Sequence, residues 1–203
     1  MATLVIPTDA NTVFGPPQGQ WTYDDWLRLP HEFFRYEVIN RNLYSSDVPS
    51  TFHQWIVSKL LDHIASPAED EGLAYVGFAR VAVEMPGCTP VQPDFVLVLK
   101  ERAEIIRDRR IMGVPDLIVE ILSPGSATYD EQIKLEAYAN ASVPEYAIID
   151  PGQRQVSVYR LDEPGKYAEP IILGEDDSLT FNCLPTISLI VRDLFDGAPD
   201  TTL

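Results

Sequence analysis

The chain has 203 residues, 45% apolar and 23% charged, a balance that supports one folded domain with its own core and excludes wholesale disorder. Fifteen Lys and Arg against thirty-one Asp and Glu leave a net charge of −16. Such a surface repels nucleic acid on average and excludes a coat of non-specific DNA binding, while leaving a local basic groove or a cation-bridged site open.

No apolar run approaches the ~20 residues of a membrane helix, so no membrane partner is expected. The start, MATLVIPTDA, has no positive n-region and predicts no secretory signal. Cys88 and Cys183 lie far apart in no metal-ligand spacing, which reads as two reduced thiols in a cytoplasmic protein.

Residues 1–20, with Pro7, Gly15, Pro16, Pro17 and Gly19, show no period and predict an irregular arm. A single domain is expected over 21–196 and a frayed tail over 197–203. Thr22 with Asp25 three residues on predicts a capping box opening a short helix through Leu29, ended by Pro30. Arg35 to Tyr44 reads as two strands around a tight Asn40-Arg41-Asn42 turn. Thr51 to Ala65 predicts an amphipathic helix, with Phe52, Trp55, Ile56, Lys59, Leu60 and Ile64 mostly on one stripe and Pro67 as the stop. Residues 73–84 and 91–99 read as strands separated by Pro86-Gly87. Lys100 to Arg110 is a charged helix or loop. Asp116 to Leu122 is a strand apolar on both faces, as at the centre of a sheet. After the break at Ser123-Pro124-Gly125-Ser126, Tyr129 to Ala141 has helix-forming composition. Glu145–Asp150 and Gln155–Leu161 are strands joined across Asp150-Pro151-Gly152, and Ile187–Val191 is a last apolar run. The pattern predicts an α/β or α+β domain with a mixed sheet.

Carboxylates break this pattern. Period-2 alternation places Glu120 between Ile118 and Leu122 on one apolar face. A lone buried carboxylate costs several kcal/mol, so Glu120 needs an arginine or lysine partner, a metal, or a proton. Asp94 follows Pro93 and shares a face with Val96 and Val98; Glu37 shares one with Ile39. Taken singly, these two also suit a turn and a solvent-facing strand. Asp130, Lys134 and Tyr138 follow i, i+4, i+8 and line one helix face. They form either a solvated pair or a face laid over Glu120. Two carboxylates, a lysine and a divalent ion together make an apparatus for phosphodiester hydrolysis.

Pro93-Asp94, Pro115-Asp-Leu-Ile-Val-Glu120-Ile-Leu-Ser-Pro124, Asp130-x-x-x-Lys134-x-x-x-Tyr138, Val143-Pro-Glu-Tyr146 and Ile149-Asp-Pro151 run in a familiar order, with Arg35-Tyr-Glu37 and the helix bearing His53 upstream. Over about residues 20 to 195 the chain resembles a bacterial family of restriction endonucleases of unassigned biological role in the PD-(D/E)XK nuclease superfamily. The resemblance implies a restriction-endonuclease-like fold, a mixed central sheet flanked by helices with an extra N-terminal β-hairpin. It implies a Mg²⁺- or Mn²⁺-dependent endonuclease acting on nucleic acid, most readily DNA. Glu37, Asp94 and Glu120 would be metal ligands. Asp94, Glu120 and Lys134 would be catalytic, supported by Asp130, Tyr138 and His53. The chain departs from the E-x-K signature: Leu122 stands two residues after Glu120, and Lys134 on the next helix takes the lysine's part. Asn40-Arg41-Asn42 replaces a glycine-containing acidic turn. A catalytically degenerate binder of nucleic acid or protein is the alternative, and a homodimer is compatible with either.

His31, His53 and His63 share no ligand spacing. Gly125-Ser126-Ala127 makes no nucleophile elbow. Lys100, Arg102, Arg107, Arg109 and Arg110 are interleaved with acids, which favours a solvated segment over a DNA contact. Trp21, Trp26 and Trp55 read as packing residues.

Overall fold

The computed structural model describes residues 13–30, 34–46, 49–78, 80–123 and 126–198. His31, Pro124 and Gly125, most of the arm and most of the tail lie outside them.

The main sheet has the order β11-β10-β9-β8-β6-β3, built from Ala74–Phe78 (β3), Phe95–Leu99 (β6), Leu117–Ile121 (β8), Glu145–Asp150 (β9), Gln155–Glu163 (β10) and Lys166–Tyr167 (β11), with Ile171–Leu173 (β12) also on β10. The β8–β9 pair is parallel and the others antiparallel, so the sheet is mixed, as expected. β8 lies between β6 and β9 and is buried throughout, as its continuous apolar run requires.

A second sheet was not anticipated. Arg35–Ile39 (β1) and Asn42–Ser46 (β2) form the expected hairpin, turning through Asn40 and Arg41 with φ of 50° and 64°. The hairpin does not stand alone: it continues in the order β2-β1-β5-β4-β7 with Ala82–Met85 (β4), Cys88–Val91 (β5) and Arg110–Met112 (β7). Residues 73–84 and 91–99 are therefore two strands each. The first run breaks at Arg80, whose φ is +81°. The second breaks at Pro93, which has no N–H to give a ladder. Between Val91 and Phe95 the chain leaves the second sheet and enters the main one.

The helices are short and modified. Thr22 caps Tyr23–Trp26 (α1) with the expected capping box, but the helix ends before Leu29. Thr51–Leu60 (α2) does not stop at Pro67. It widens into a π-helical turn over Leu61–Ala65 and continues as Ser66–Asp70 (α3). The wide turn lies where a regular α-turn would press the proline ring on the carbonyl four residues earlier. The helix after the Ser123 break likewise starts π-helical, Tyr129–Lys134, before Leu135–Asn140 (α4).

The main sheet packs on both faces. Phe95, Leu97, Leu117, Val119 and Ile121 meet Ile56, Leu60 and Ile64 of the α2–α3 run. Ser178–Thr180 (β13) and Ser188–Ile190 (β14) close that side. The opposite face, with Val96, Val98, Ile118 and Ile148, packs against Ile39, Val83, Cys88 and Val91 of the second sheet and Tyr138 of α4. Trp21 and Trp26 are buried in a third cluster with Val38 and Leu43, while Trp55 is half-buried. Both cysteines are free. No helix among the described residues is long and apolar enough to cross a membrane.

Candidate active site

The crossover at Gln92-Pro93-Asp94 interrupts two ladders, and buried backbone groups freed there must find other partners. They find charged side chains. Glu37 Oε1 accepts from the Gln92 N–H at 2.7 Å, and Arg35 donates to the Gln92 carbonyl at 3.1 Å. Across β6 and β8 the backbone and carboxylates clasp each other: Ile121 N–H donates to Asp94 Oδ2 at 2.9 Å, and Asp94 N–H to Glu120 Oε2 at 3.4 Å.

Alternation then aims Glu37 of β1, Asp94 before β6 and Glu120 of β8 into the layer between the sheets, and the π-helical segment covers them. Lys134 Nζ lies 2.8 Å from Glu120 Oε1, 3.2 Å from Glu37 Oε2 and 3.4 Å from Asp130 Oδ1. Tyr138 donates to Glu120 Oε1 at 3.0 Å. So of the two readings of the Asp130–Lys134–Tyr138 face, the one laid over Glu120 is observed. Asp94 Oδ1 accepts from Arg35 at 2.6 Å and lies 3.3 Å from His53 Nε2. Glu37, Asp94, Glu120, Asp130, Lys134, Tyr138 and His53 are all buried.

Sequence reasoning gave Arg35 no role. Its partners at the crossover, Gln92 and Asp94, stand 57 and 59 residues away. The one available signal was its period-2 spacing from Glu37.

Burial and charge set the protonation states. Burial raises Glu120, the Asp94 and Asp130 charges add to this, and Lys134 and Arg35 offset it only in part, leaving its pKa at about 8. Burial raises Asp130 in the same direction. Burial also opposes the Asp94 charge, but Arg35 and His53 overcome it and hold that carboxyl well below its usual range. Burial alone lowers Lys134; Glu120, Glu37 and Asp130 reverse this and hold it above the ordinary lysine value.

The donor set suits a hard divalent cation. Four carboxyl groups, Glu37, Asp94, Glu120 and Asp130, face two fixed positive charges, Arg35 and Lys134, so the site with all four ionised carries a surplus of negative charge that a cation would relieve. Asp130 Oδ1 has no hydrogen-bond partner although buried. Oxygen donors and uncompensated charge are what Mg²⁺ and Mn²⁺ take. In this arrangement the oxygens are turned onto the ammonium, the guanidinium and backbone N–H groups. No three Asp, Glu, His or Cys among the described residues converge as a metal-holding group.

Residues 23–192 match the Uma2 family, described as "Putative restriction endonuclease". The chain belongs to this family. A crystal structure from Anabaena variabilis ATCC 29413, described as "a putative nuclease belonging to DUF820", superposes with a TM-score of 0.72 at 21% identity, covering 86% of this chain and 97% of that one. At that identity the likeness shows a shared fold. No curated protein matches the chain.

The charged stretch before β7 is not at this site. Arg102 pairs with Asp116 at 2.6 Å, and Arg110 lies 3.2 Å from Glu84 and 4.1 Å from the Tyr23 ring centroid. Arg107, Arg109 and Arg110 border a cleft of ≈ 770 Å³ on the α1 side of the second sheet, with Asp24, Glu84 and Asp108 among its walls. The mixed signs fit the solvated reading.

Proposed function

We propose that the protein is a metal-dependent endonuclease that hydrolyses phosphodiester bonds, with DNA as substrate. The observation that carries this reading is the buried contact of Lys134 with both Glu120 and Glu37: a lysine from the following helix supplies the ammonium that the E-x-K position lacks. Glu37, Asp94 and Glu120 would hold Mg²⁺ or Mn²⁺. A bound divalent ion supplies polarisation of the scissile phosphate and a water more acidic than bulk water.

The chain's own groups have distinct parts. Lys134 keeps its proton at any working pH, so it acts as a hydrogen-bond donor to the attacking water or the developing charge and not as a base. Tyr138 fixes the Glu120 carboxylate, and Asp130 holds Lys134 from the preceding turn, 3.4 Å away. Burial raises the Glu120 pKa, and a cation held there would lower it, so cation binding would be favoured as pH rises.

Glu120→Gln should abolish divalent-ion binding by calorimetry. Lys134→Ala should keep it. Both should lose cleavage of plasmid and oligonucleotide DNA by orders of magnitude, since one charge-stabilising group is worth ~2.7–4 kcal/mol. Cleavage equal in wild type and both variants would remove the assignment. A second reading, a non-cutting binder of this fold, draws on the complete burial of Glu120 and Lys134, each 0% exposed, and on the −16 charge. Wild-type protein that binds DNA but neither binds Mg²⁺ nor cuts would favour it.

A further inference from the structure

Arg35 differs from the rest of the cluster in its access to solvent. Its side chain is 21% exposed, whereas those of Glu37, Asp94, Glu120, Asp130 and Lys134 are at most 3% exposed. Lys134 is committed to three carboxylates. Arg35 is held by Asp94 Oδ1 at 2.6 Å, the Gln92 carbonyl at 3.1 Å and Ser46 Oγ at 3.0 Å, all toward the edge of the second sheet. The other ties on Asp94 are the Ile121 N–H, fixed in the β8 ladder, and His53 Nε2, 3.3 Å from Oδ1 on a side chain only 7% exposed.

A divalent cation on Asp94 and a guanidinium on the same carboxylate repel each other strongly in dry surroundings. Of the groups around Asp94, Arg35 has a way out. Its planar fork is also the shape that takes two oxygens of a phosphate. The remaining cation, Lys134, is sealed beneath the carboxylates and out of reach of a polyanion in this form.

We infer that Arg35 is a displaceable counterion of Asp94: it neutralises the carboxylate while the site is empty of metal, swings outward as a divalent cation arrives, and then contacts a backbone phosphate of the nucleic acid. This rests on the nuclease reading and adds a substrate-contacting residue to it. Cation and guanidinium compete for Asp94, while cation and nucleic acid help each other through Arg35, each favouring the outward guanidinium. A chain with a net charge of −16 thereby shows a polyanion its positive charge at the site once the cation is in place.

The test is Mn²⁺ titration by calorimetry, beside fluorescence anisotropy of a labelled DNA duplex in Ca²⁺, for wild type, Arg35→Ala and Ser46→Ala, with a thermal melt of each. Arg35→Ala should bind Mn²⁺ about tenfold more tightly or better, the scale of one charge-assisted hydrogen bond to a rival partner. It should bind the duplex about tenfold more weakly. General loosening of the site would lower both affinities, so the opposite signs separate displacement from a structural role. Ser46→Ala frees the guanidinium from one anchor without removing its charge. It should strengthen Mn²⁺ binding by a smaller factor, and it supplies the answer if Arg35→Ala does not fold. Mn²⁺ affinity unchanged or lower in the folded variants overturns the inference, and leaves the nuclease reading standing if wild type binds Mn²⁺ and cuts. Wild type that binds no Mn²⁺ overturns both.

Discussion

Replacing Lys134 with methionine keeps most of the stem's volume and removes the ammonium. Glu120, Glu37 and Asp130, 2.8, 3.2 and 3.4 Å from that ammonium, would then face one another with Arg35 as the remaining fixed positive charge. Breaking a buried ion pair from one side costs ~3–5 kcal/mol, but here the cost depends on pH. In unfolded chain a glutamate titrates near 4.5. In the intact fold Glu120 titrates at about 8, so between these values the folded state holds more protons than the unfolded one, and stability falls as pH rises. Without Lys134, Glu120 and Asp130, both already raised by burial, shift further up: Asp130 steepens the fall and Glu120 prolongs it beyond pH 8. At pH 5 Glu120 is neutral, so less charge is left for the ammonium to offset. Asp94 works in the opposite direction: its lowered pKa contributes stability above its unfolded value, lost as pH drops below about 4. Urea unfolding in EDTA should therefore show Lys134→Met about 1 kcal/mol less stable than wild type at pH 5 and ~3–5 kcal/mol less stable at pH 8. Near pH 8 that is a drop of roughly 6–20 °C in melting temperature for a domain of this size. A loss of the same size at both pH values, or one below about 1 kcal/mol at pH 8, would show that the ammonium does not neutralise these carboxylates.

The hairpin turn and the buried thiol give two further tests. Arg41, at φ 64°, sits in the left-handed region that a side chain adopts at a cost; Arg41→Gly should stabilise the fold by about 0.5–1 kcal/mol, and a melting temperature that falls would show that the weak contact of Arg41 with the Gln20 carbonyl, 3.4 Å long, outweighs the backbone. Burial pushes the Cys88 thiol up to about 12, so at pH 8 it should resist iodoacetamide until urea unfolds the protein. Labelling of Cys88 in native buffer, mapped by mass spectrometry, would contradict its enclosure between the sheets.

The parts of the site legible in sequence were those that violate a local pattern. Glu120 stands out because both faces of its strand are apolar, and Lys134 and Tyr138 because helical spacing puts them on one side with Asp130. Asp94 is marked by Pro93. What escaped depends on contacts between distant segments. The division of residues 73–99 into four strands is decided by which sheet each half can join, and no residue in the run states that alone. Arg35 received no role because its partners come from the crossover and from Ser46. The π-helical turns answer to Pro67 and to the packing of the helices on the sheet, which periodicity does not register. Pro67 was read as a stop because a proline's local cost is visible and the turn that relieves it is not.

The chain's passage from one sheet to the other at Gln92-Pro93-Asp94 has a consequence for how relatives of this protein can diverge. Glu37, Arg35 and Glu120 satisfy backbone groups that the crossover strips of their ladder partners. They are fastenings of the seam between the sheets whatever chemistry they perform. Selection for folding alone would therefore hold them in place in a homologue that cuts nothing. In a homologue, such residues testify first to an intact seam. Lys134 belongs with them, because the carboxylates around it cannot stay buried and charged without it. On the displacement inference, Arg35 is the position where the two pressures would separate: a neutral donor there could still reach Asp94 and the Gln92 carbonyl but would offer a phosphate no charge.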